Sequence, residues 1–266
     1  MKRKLAFLLM LCFGWSFFLN GCGGTLPKTD DRLQVVCTFF PEYDWARQLT
    51  QGVDNVDLTL LVKNGTDLHS YQPSVRDIAM IARADVFCYV GGVSDTWVND
   101  VLDTTENRTA QLVSMAEAAD ADEEVLAEGM QAEHEHEHEH EHEHHDDEND
   151  SHEEPPELDE HVWLSLRRAA LACTAMKEAL CKADPAHEDI YNQNCTDYLQ
   201  KLQELDSDFT EMTSQAARDT IVVADRFPFR YLAEDYGLTY YAAFPGCSAE
   251  TEASFETIVF LSEKVE

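Results

Sequence analysis

Apolar positions along this chain follow two periods. Short runs of β-branched and aromatic residues, stopped by Gly, Pro or polar clusters, alternate with amphipathic stretches of helical spacing. Leu33–Phe40, Val56–Val62, Val86–Val90 and a short run at Gln111–Val113 read as strands. Between them, Tyr43–Leu49, a segment capped by Ser74 and running through Arg83, and a stretch around Thr96–Leu102 read as helices. Asp77 stands three residues after Ser74, where a capping box needs its acid. Strands alternating with helices predict a parallel sheet covered on both faces.

The later part of the chain changes character. Trp163–Lys182 is Ala-rich and helical. Asp184-Pro185 then reads as N-cap and first residue of another helix, with Ile190, Tyr191, Tyr198, Leu199, Leu202, Leu205, Phe209 and Met212 at helical spacing. That helix would run about 30 residues, well beyond the globular mean. Thr220–Ala224 and Thr239–Phe244 read as strands, Phe229–Tyr236 as a helix ended by Gly237, and Ala253–Val265 as a further helix. The expected fold class is α/β, with two lobes, each a parallel sheet flanked by helices, joined by one long helix. Residues 33–183 would form the first lobe, 184–216 the linking helix and 217–266 a second lobe. With two strands against at least three, the C-terminal lobe reads as incomplete and the chain as truncated.

Two segments break this pattern. Residues 1–21 combine a basic MKRK start with the apolar run LAFLLMLCFGWSFFL, which is short for a membrane span and suited to an export signal. The run ends in Leu19-Asn20-Gly21-Cys22, a lipobox-like pattern that makes Cys22 a candidate lipidated first residue and 22–32 a tether; ordinary signal cleavage is the alternative. The second break, 117–157, is a His/Glu-rich insert almost without large apolar residues. Such a composition cannot offset its ordering entropy, so the segment is expected to be disordered.

Charge sharpens the picture. The chain has 19 Lys and Arg against 52 Asp and Glu, a formal net charge of −33. Glu117–Glu160 alone holds 21 of the acids and no Lys or Arg. No basic footprint for nucleic acid exists, whereas cation binding is compatible. Export also changes how the thiols are read. Cys37, Cys88, Cys173, Cys181, Cys195 and Cys247 could pair, but no bridge can be assigned. Without a CxxC, a thiolate zinc knuckle is not expected. Cys37 and Cys88, within apolar runs, read as small buried hydrophobes.

Eight of the 11 histidines lie in the insert. His134, His136, His138, His140, His142, His144 and His145, with His152 beyond them, form an accessory collector for zinc or only a solvated spacer. The flanking carboxylates favour protonated imidazole, so binding there should strengthen as pH rises. Of the other three, His187 reads as solvated. His69 falls in the loop after the second strand, at the sheet edge where open α/β folds bind ligands. His161 follows the insert at the mouth of a helix. Spacing alone leaves both open as surface or capping residues.

Gly65-Thr-Asp-Leu-His-Ser-Tyr-Gln-Pro-Ser74 and Asp159-Glu-His-Val-Trp-Leu164 together resemble two motifs of the metal-binding lipoproteins of bacterial zinc and manganese ABC transporters. Phe39-Phe-Pro-Glu-Tyr43, the segment from Asp184 to Asn194, Tyr231–Gly237 and Gly246–Ser254 resemble further parts of that family. The resemblance runs from about Leu33 to the end of the chain. It implies a divalent metal held between two lobes, with His69 and His161 as ligands, and delivery to a membrane permease by a lipid-anchored, extracytoplasmic, monomeric binder. The family's third ligand, a His or Glu five residues before the aromatic matching Tyr231, corresponds to Arg226, a permanent cation that cannot ligate. Asp225 beside it is either a shifted ligand or a residue that caps the next turn or pairs Arg226. A fourth, acidic ligand would lie beyond Glu266.

Histidine donors and the His-rich insert point to Zn2+ over Mn2+. The rivals are a manganese binder of the same kind, a zinc buffer or adhesin without a permease, and a zinc hydrolase. Against the last stand the missing HExxH and no visible general base near either histidine. The protein is expected not to be an enzyme.

Overall fold

The computed structural model describes residues 32–63, 65–105, 107, 109–130, 157–248 and 252–265. The export signal, Cys22 and the insert histidines fall outside these residues.

Four strands, β1 (Leu33–Cys37), β2 (Val56–Leu60), β3 (Val86–Tyr89) and β4 (Gln111–Ser114), form one parallel sheet in the order β2-β1-β3-β4. Side chains alternate between its faces. Leu33, Val35, Cys37, Val86 and Cys88 pack on one side against α1 (Phe40–Leu49), α5 (Leu166–Ala183) and α6 (Glu188–Ser214). Val36 and Phe87 face the opposite side, where α2 (Val75–Ile81) and α3 (Trp97–Thr104) supply Ile81, Trp97, Val98 and Val101. The expected two-sided parallel sheet is therefore present. Cys37 and Cys88, paired in register across β1 and β3, are fully buried. All six cysteines among the described residues are free thiols. Ser74 and Asp77 form the expected capping box of α2.

The chain runs outward from β1 to β2 and returns past β1 to β3. The β1/β3 boundary is thus the point where strand order reverses, and the crevice beyond its carboxyl ends is the natural ligand position. A second parallel pair, β5 (Thr220–Phe227) and β6 (Thr239–Pro245), is connected through α7 (Arg230–Asp235) and packs against α8 (Phe255–Val265).

Three expectations are corrected. The long helix starts at Glu188, not at Asp184, because Pro185–His187 makes a separate 3-10 turn. Asp184 organises that turn, with Oδ2 taking the Tyr191 hydroxyl at 2.9 Å and lying 2.7 Å from His187 Nδ1. His187 is therefore anchored and half-buried, not free in solvent. The apolar stripe of α6 is covered only in part: Ile190, Tyr191, Tyr198, Leu199 and Leu202 join the core, whereas Leu205 and Met212 are exposed. Phe209 instead stacks on Tyr236 at 5.2 Å.

The third correction concerns the insert, whose described ends are ordered. Met115–Ala118 forms a one-turn helix, α4, and Ala119 is fully buried. Glu123 bridges Leu158 in antiparallel fashion. Arg168 donates to the carbonyls of Ala119 and Asp120 and pairs with Asp122. The acidic composition concealed these contacts because they are made by backbone atoms and by partners distant in sequence.

The buried acid Glu42 closes the first sheet's carboxyl edge. Its Oε2 accepts the N–H groups of Thr38 at 2.9 Å and Phe39 at 3.1 Å. Burial, reinforced by the Asp95 carboxylate, pushes it from 4.5 up to about 8. The folded protein keeps a proton here that the unfolded chain releases above 4.5, so this contribution is whole below 4.5 and is lost as pH rises through about 8. Asp95, raised by burial to about 6, acts in the same sense over a lower range. Urea unfolding should show stability falling between about pH 5 and 8, and Glu42→Gln should flatten that slope relative to wild type. Parallel slopes in the two proteins would remove Glu42 from the account.

Candidate metal centre

His69 sits in the 3-10 turn Leu68–Ser70, capped by Asp67, whose Oδ1 accepts the His69 N–H at 3.1 Å. Leu68 is buried against Val62 and Val90 and pins the turn to the sheet edge. His161 precedes a second 3-10 turn, Val162–Leu164, and is only 4% exposed. The two rings approach to 5.6 Å between centroids. Residues 92 positions apart in sequence therefore meet at the crevice.

Each imidazole is held through Nδ1 by a neighbouring carboxylate. His161 Nδ1 lies 2.9 Å from Asp159 Oδ1, which also accepts the His161 N–H at 3.1 Å. His69 Nδ1 lies 3.3 Å from Glu160 Oε1 and 2.8 Å from Ser94 Oγ. The Ser94 N–H donates to Glu160 Oε2 at 3.0 Å, and its hydroxyl donates to Oε1. Acceptors at Nδ1 fix the ring orientation and favour a proton there, which leaves Nε2 as a lone-pair donor. The hydrogen bond to Glu160 holds His69 above its usual value. Burial pushes Glu160 up, but the hydrogen bonds from His69 and Ser94 outweigh it and leave it below the ordinary range.

Two glycines make this packing possible. A Cβ at Gly246 would stand 2.8 Å from His161 Cε1 and 2.9 Å from its Nδ1, with the Pro228 Cα at 3.1 Å. A Cβ at Gly92 would overlap the Glu160 side chain. Behind the site, the Tyr231 hydroxyl donates to the Asp159 carbonyl at 2.7 Å and accepts the Asp122 N–H at 3.0 Å. Tyr231 thereby anchors the root of the acidic insert to the strand pair β5/β6.

A cleft of about 360 Å3 is lined by His69, His161, Trp163, Asp225, Arg226 and Asp67, among others. All three predicted ligands thus face one space. Asp225 reaches it from a bulge: Val223 pairs with Ala242 but Arg226 with Phe244, so β5 carries one extra residue there. Asp225 is exposed, and its Oδ1 also accepts the Arg226 N–H at 2.8 Å. Arg226 lines the same cleft, with Nη1 3.8 Å from Asp67 Oδ2 and 3.4 Å from the Ser248 carbonyl. Among the described residues, the only group bringing three potential ligand atoms within 4.8 Å of one another is Asp159, His161 and Cys247. Asp225 lines the cleft without being gathered to that distance.

The chain matches the family described as zinc-uptake complex component A, periplasmic (ZnuA), over residues 35–266. It belongs to the ZnuA family. Over 265 residues it is 33% identical to zinc-binding lipoprotein AdcA of Streptococcus pneumoniae (strain ATCC BAA-255 / R6), covering 100% of this chain and 48% of that protein. Over 237 residues it is 33% identical to the high-affinity zinc uptake system protein ZnuA of Bacillus subtilis (strain 168), covering 87% of this chain and 68% of the relative. The crystal structure of the Zn(II)-bound ZnuA-like domain of S. pneumoniae AdcA superposes with a TM-score of 0.64 at 29% identity, over 88% of this chain and 74% of that one. The chain spans about half the length of the streptococcal relatives it matches.

Within this ZnuA-family chain, sequence reasoning reached His69 and His161 but not the groups that orient them. Asp159 and Glu160 were visible in the Asp-Glu-His run, yet no spacing rule links Glu160 to a histidine 91 residues away. Ser94 carried no signal, and Cys247 stood out only as one of six thiols with no assigned partner. The expectation that no general base lies near either histidine is corrected: carboxylates touch both rings, although at Nδ1. Gly246→Ala should destabilise the fold by about 1–3 kcal/mol, the usual cost of overpacking, and shift the His161 ring signals in NMR. An unchanged melting temperature with unmoved His161 signals would show that the loop yields freely.

Proposed function

We propose that this chain is the extracytoplasmic zinc-binding component of an ABC importer, capturing Zn2+ between two lobes and passing it to a membrane permease. The observation that carries this reading is the pair of imidazoles whose centroids lie 5.6 Å apart, each held at Nδ1 by a carboxylate. Such second partners raise the basicity of a ligand nitrogen and fix its direction. Neutral imidazole suits zinc better than it suits magnesium, calcium or manganese. The names of the pneumococcal and Bacillus relatives agree, as does the family's description as a periplasmic uptake component.

The ion is cargo, not a cofactor. His69 Nε2 and His161 Nε2 bind it, the Asp225 carboxylate on the β5 bulge supplies an oxygen, and water fills the remaining position. Glu160 and Asp159 act through the histidines. No bond in a substrate is made or broken, so the protein works as a binder. Cys22 anchors the mature chain to the outer face of the cytoplasmic membrane, and the insert histidines raise the local zinc concentration. Discrimination by the permease requires different affinities for the loaded and empty forms.

Arg226 marks a departure that also favours a second reading. A guanidinium replaces the imidazole or carboxylate expected at this position, which leaves oxygen as the third donor type and makes manganese the competing cargo. Calorimetric competition between Zn2+ and Mn2+ decides; a manganese preference overturns the zinc reading.

Zinc calorimetry also tests the residue roles. His69→Ala should abolish tight binding, and Glu160→Gln should weaken it by about 10–100-fold, the scale for second partners of metal-bound histidine. Arg226→His removes a repulsive charge and adds a donor, so it should tighten binding by about tenfold or more. Because Glu160 holds His69 above its usual value, protons compete with the ion up to a correspondingly higher pH. Apparent affinity should therefore rise with pH through the imidazole range and level off above it. A flat profile would remove His69 from the ligand set.

A further inference from the structure

His161 has a second metal-facing nitrogen, and its surroundings are not those of the cleft. Nδ1 lies 2.9 Å from Asp159 Oδ1 and 3.9 Å from Cys247 Sγ. All three ligand atoms fall within 4.8 Å of one another. A tetrahedral zinc ion with bonds of about 2.0–2.3 Å keeps its ligands about 3.3–3.7 Å apart. Shifts of less than about 1 Å in these side chains would produce that spacing, with the Asp159–His161 contact opening and the thiol closing in.

Cys247 does not line the His69 cleft. It opens on a separate pocket of about 290 Å3, together with Glu124, Glu157, Ser248 and two apolar residues. The Cys247 N–H donates to Glu124 Oε1 at 3.3 Å. Glu124 N–H in turn donates to the Glu157 carbonyl at 2.8 Å, where the chain resumes after the His-rich segment. The pocket therefore lies beside the root of that segment, with Glu124 and Glu157 in its lining.

We infer that Asp159, His161 Nδ1 and Cys247 form a second zinc station, distinct from the His69 cleft. Carboxylate, imidazole and thiolate together select Zn2+ over Mg2+, Ca2+ or Mn2+. Three protein ligands leave a fourth position for water, the arrangement of an exchangeable site and not of a closed structural one. Binding releases the thiol proton to solvent and moves the ring proton from Nδ1 to Nε2. One neutral imidazole offers a single lone pair, so the two sites exclude one another and an ion occupies one at a time. An ion held at the thiolate side reaches the His69 side by exchanging nitrogens of the same ring. The inference rests on the reading of His161 as a cargo ligand, but it needs neither His69 nor Asp225.

Cobalt is the probe, because thiolate ligation gives a near-ultraviolet charge-transfer band that imidazole and carboxylate do not. The full reduced chain is titrated with Co2+ as wild type, Cys247→Ser and His69→Ala. The station is supported by a charge-transfer band in His69→Ala, where the cleft no longer competes for the ring, that is absent in Cys247→Ser. A band that persists in Cys247→Ser belongs to another cysteine and overturns the inference. A band lost in His69→Ala places Cys247 on the cleft ion and overturns the separate station. Visible cobalt bands without charge transfer in both wild type and His69→Ala overturn the station while leaving the proposed function intact. No cobalt or zinc binding in any of the three overturns both.

Discussion

Everything at the site depends on Glu160, a carboxylate with a fully buried side chain. One oxygen meets His69 and the Ser94 hydroxyl, and the other takes the Ser94 N–H. Three loops are tied by this one group: the turn after β2, the turn after β3 and the chain returning from the insert. A buried charge is tolerated only where its lone pairs are met, and here they are met by residues the site needs in place. The hydrogen bonds prevail over desolvation and keep Glu160 ionised. The negative charge then holds His69 with its proton on the inner nitrogen.

Asp159, one residue earlier, plays the matching part for His161, so a single tripeptide carries one histidine and the orienting groups of both. The peptide is fixed from behind by the Tyr231 hydroxyl, which ties it to the β5/β6 half of the molecule. Gly92 and Gly246 let it pack without a gap. The histidine pair is thus assembled by buried polar contacts between loops, while the sheet supplies only the edge on which those loops stand.

This division explains what was legible in the sequence. The first sheet could be read because its central strands β1 and β3 are largely buried and apolar, because the edge strand β2 alternates apolar with polar residues, and because Ser74 and Asp77 announce a helix start. His69 and His161 stood out because so few histidines lie outside the insert and because both sit in motifs shared with a known family. The orienting groups were hidden for a physical reason. Ser94 and Glu160 reach His69 across separations that no local period records, and a buried acid looks in sequence like any other member of an acidic run. The ordered ends of the insert were missed likewise: their partners, Arg168 and Tyr231, come from elsewhere in the chain. Asp184 misled in the other direction, since its cap-like sequence serves a tight turn joining two helices.

The remaining tension is electrostatic. The chain carries a net charge of −33, yet Arg226 lines the cleft where a divalent ion is proposed to sit. Arg226 is not isolated there, because Asp67 lies within 3.8 Å and the Ser248 carbonyl within 3.4 Å. Asp67 is also the cap of the His69 turn, so the guanidinium and His69 N–H share one carboxylate, at opposite oxygens. A cation drawn into the cleft enters the same field and competes with Arg226 for Asp67. An ion in the cleft would then loosen the ion pair that Arg226 on β5 makes with the His69 turn. The pair is partly solvated and worth little in stability, which is what an easily displaced contact requires.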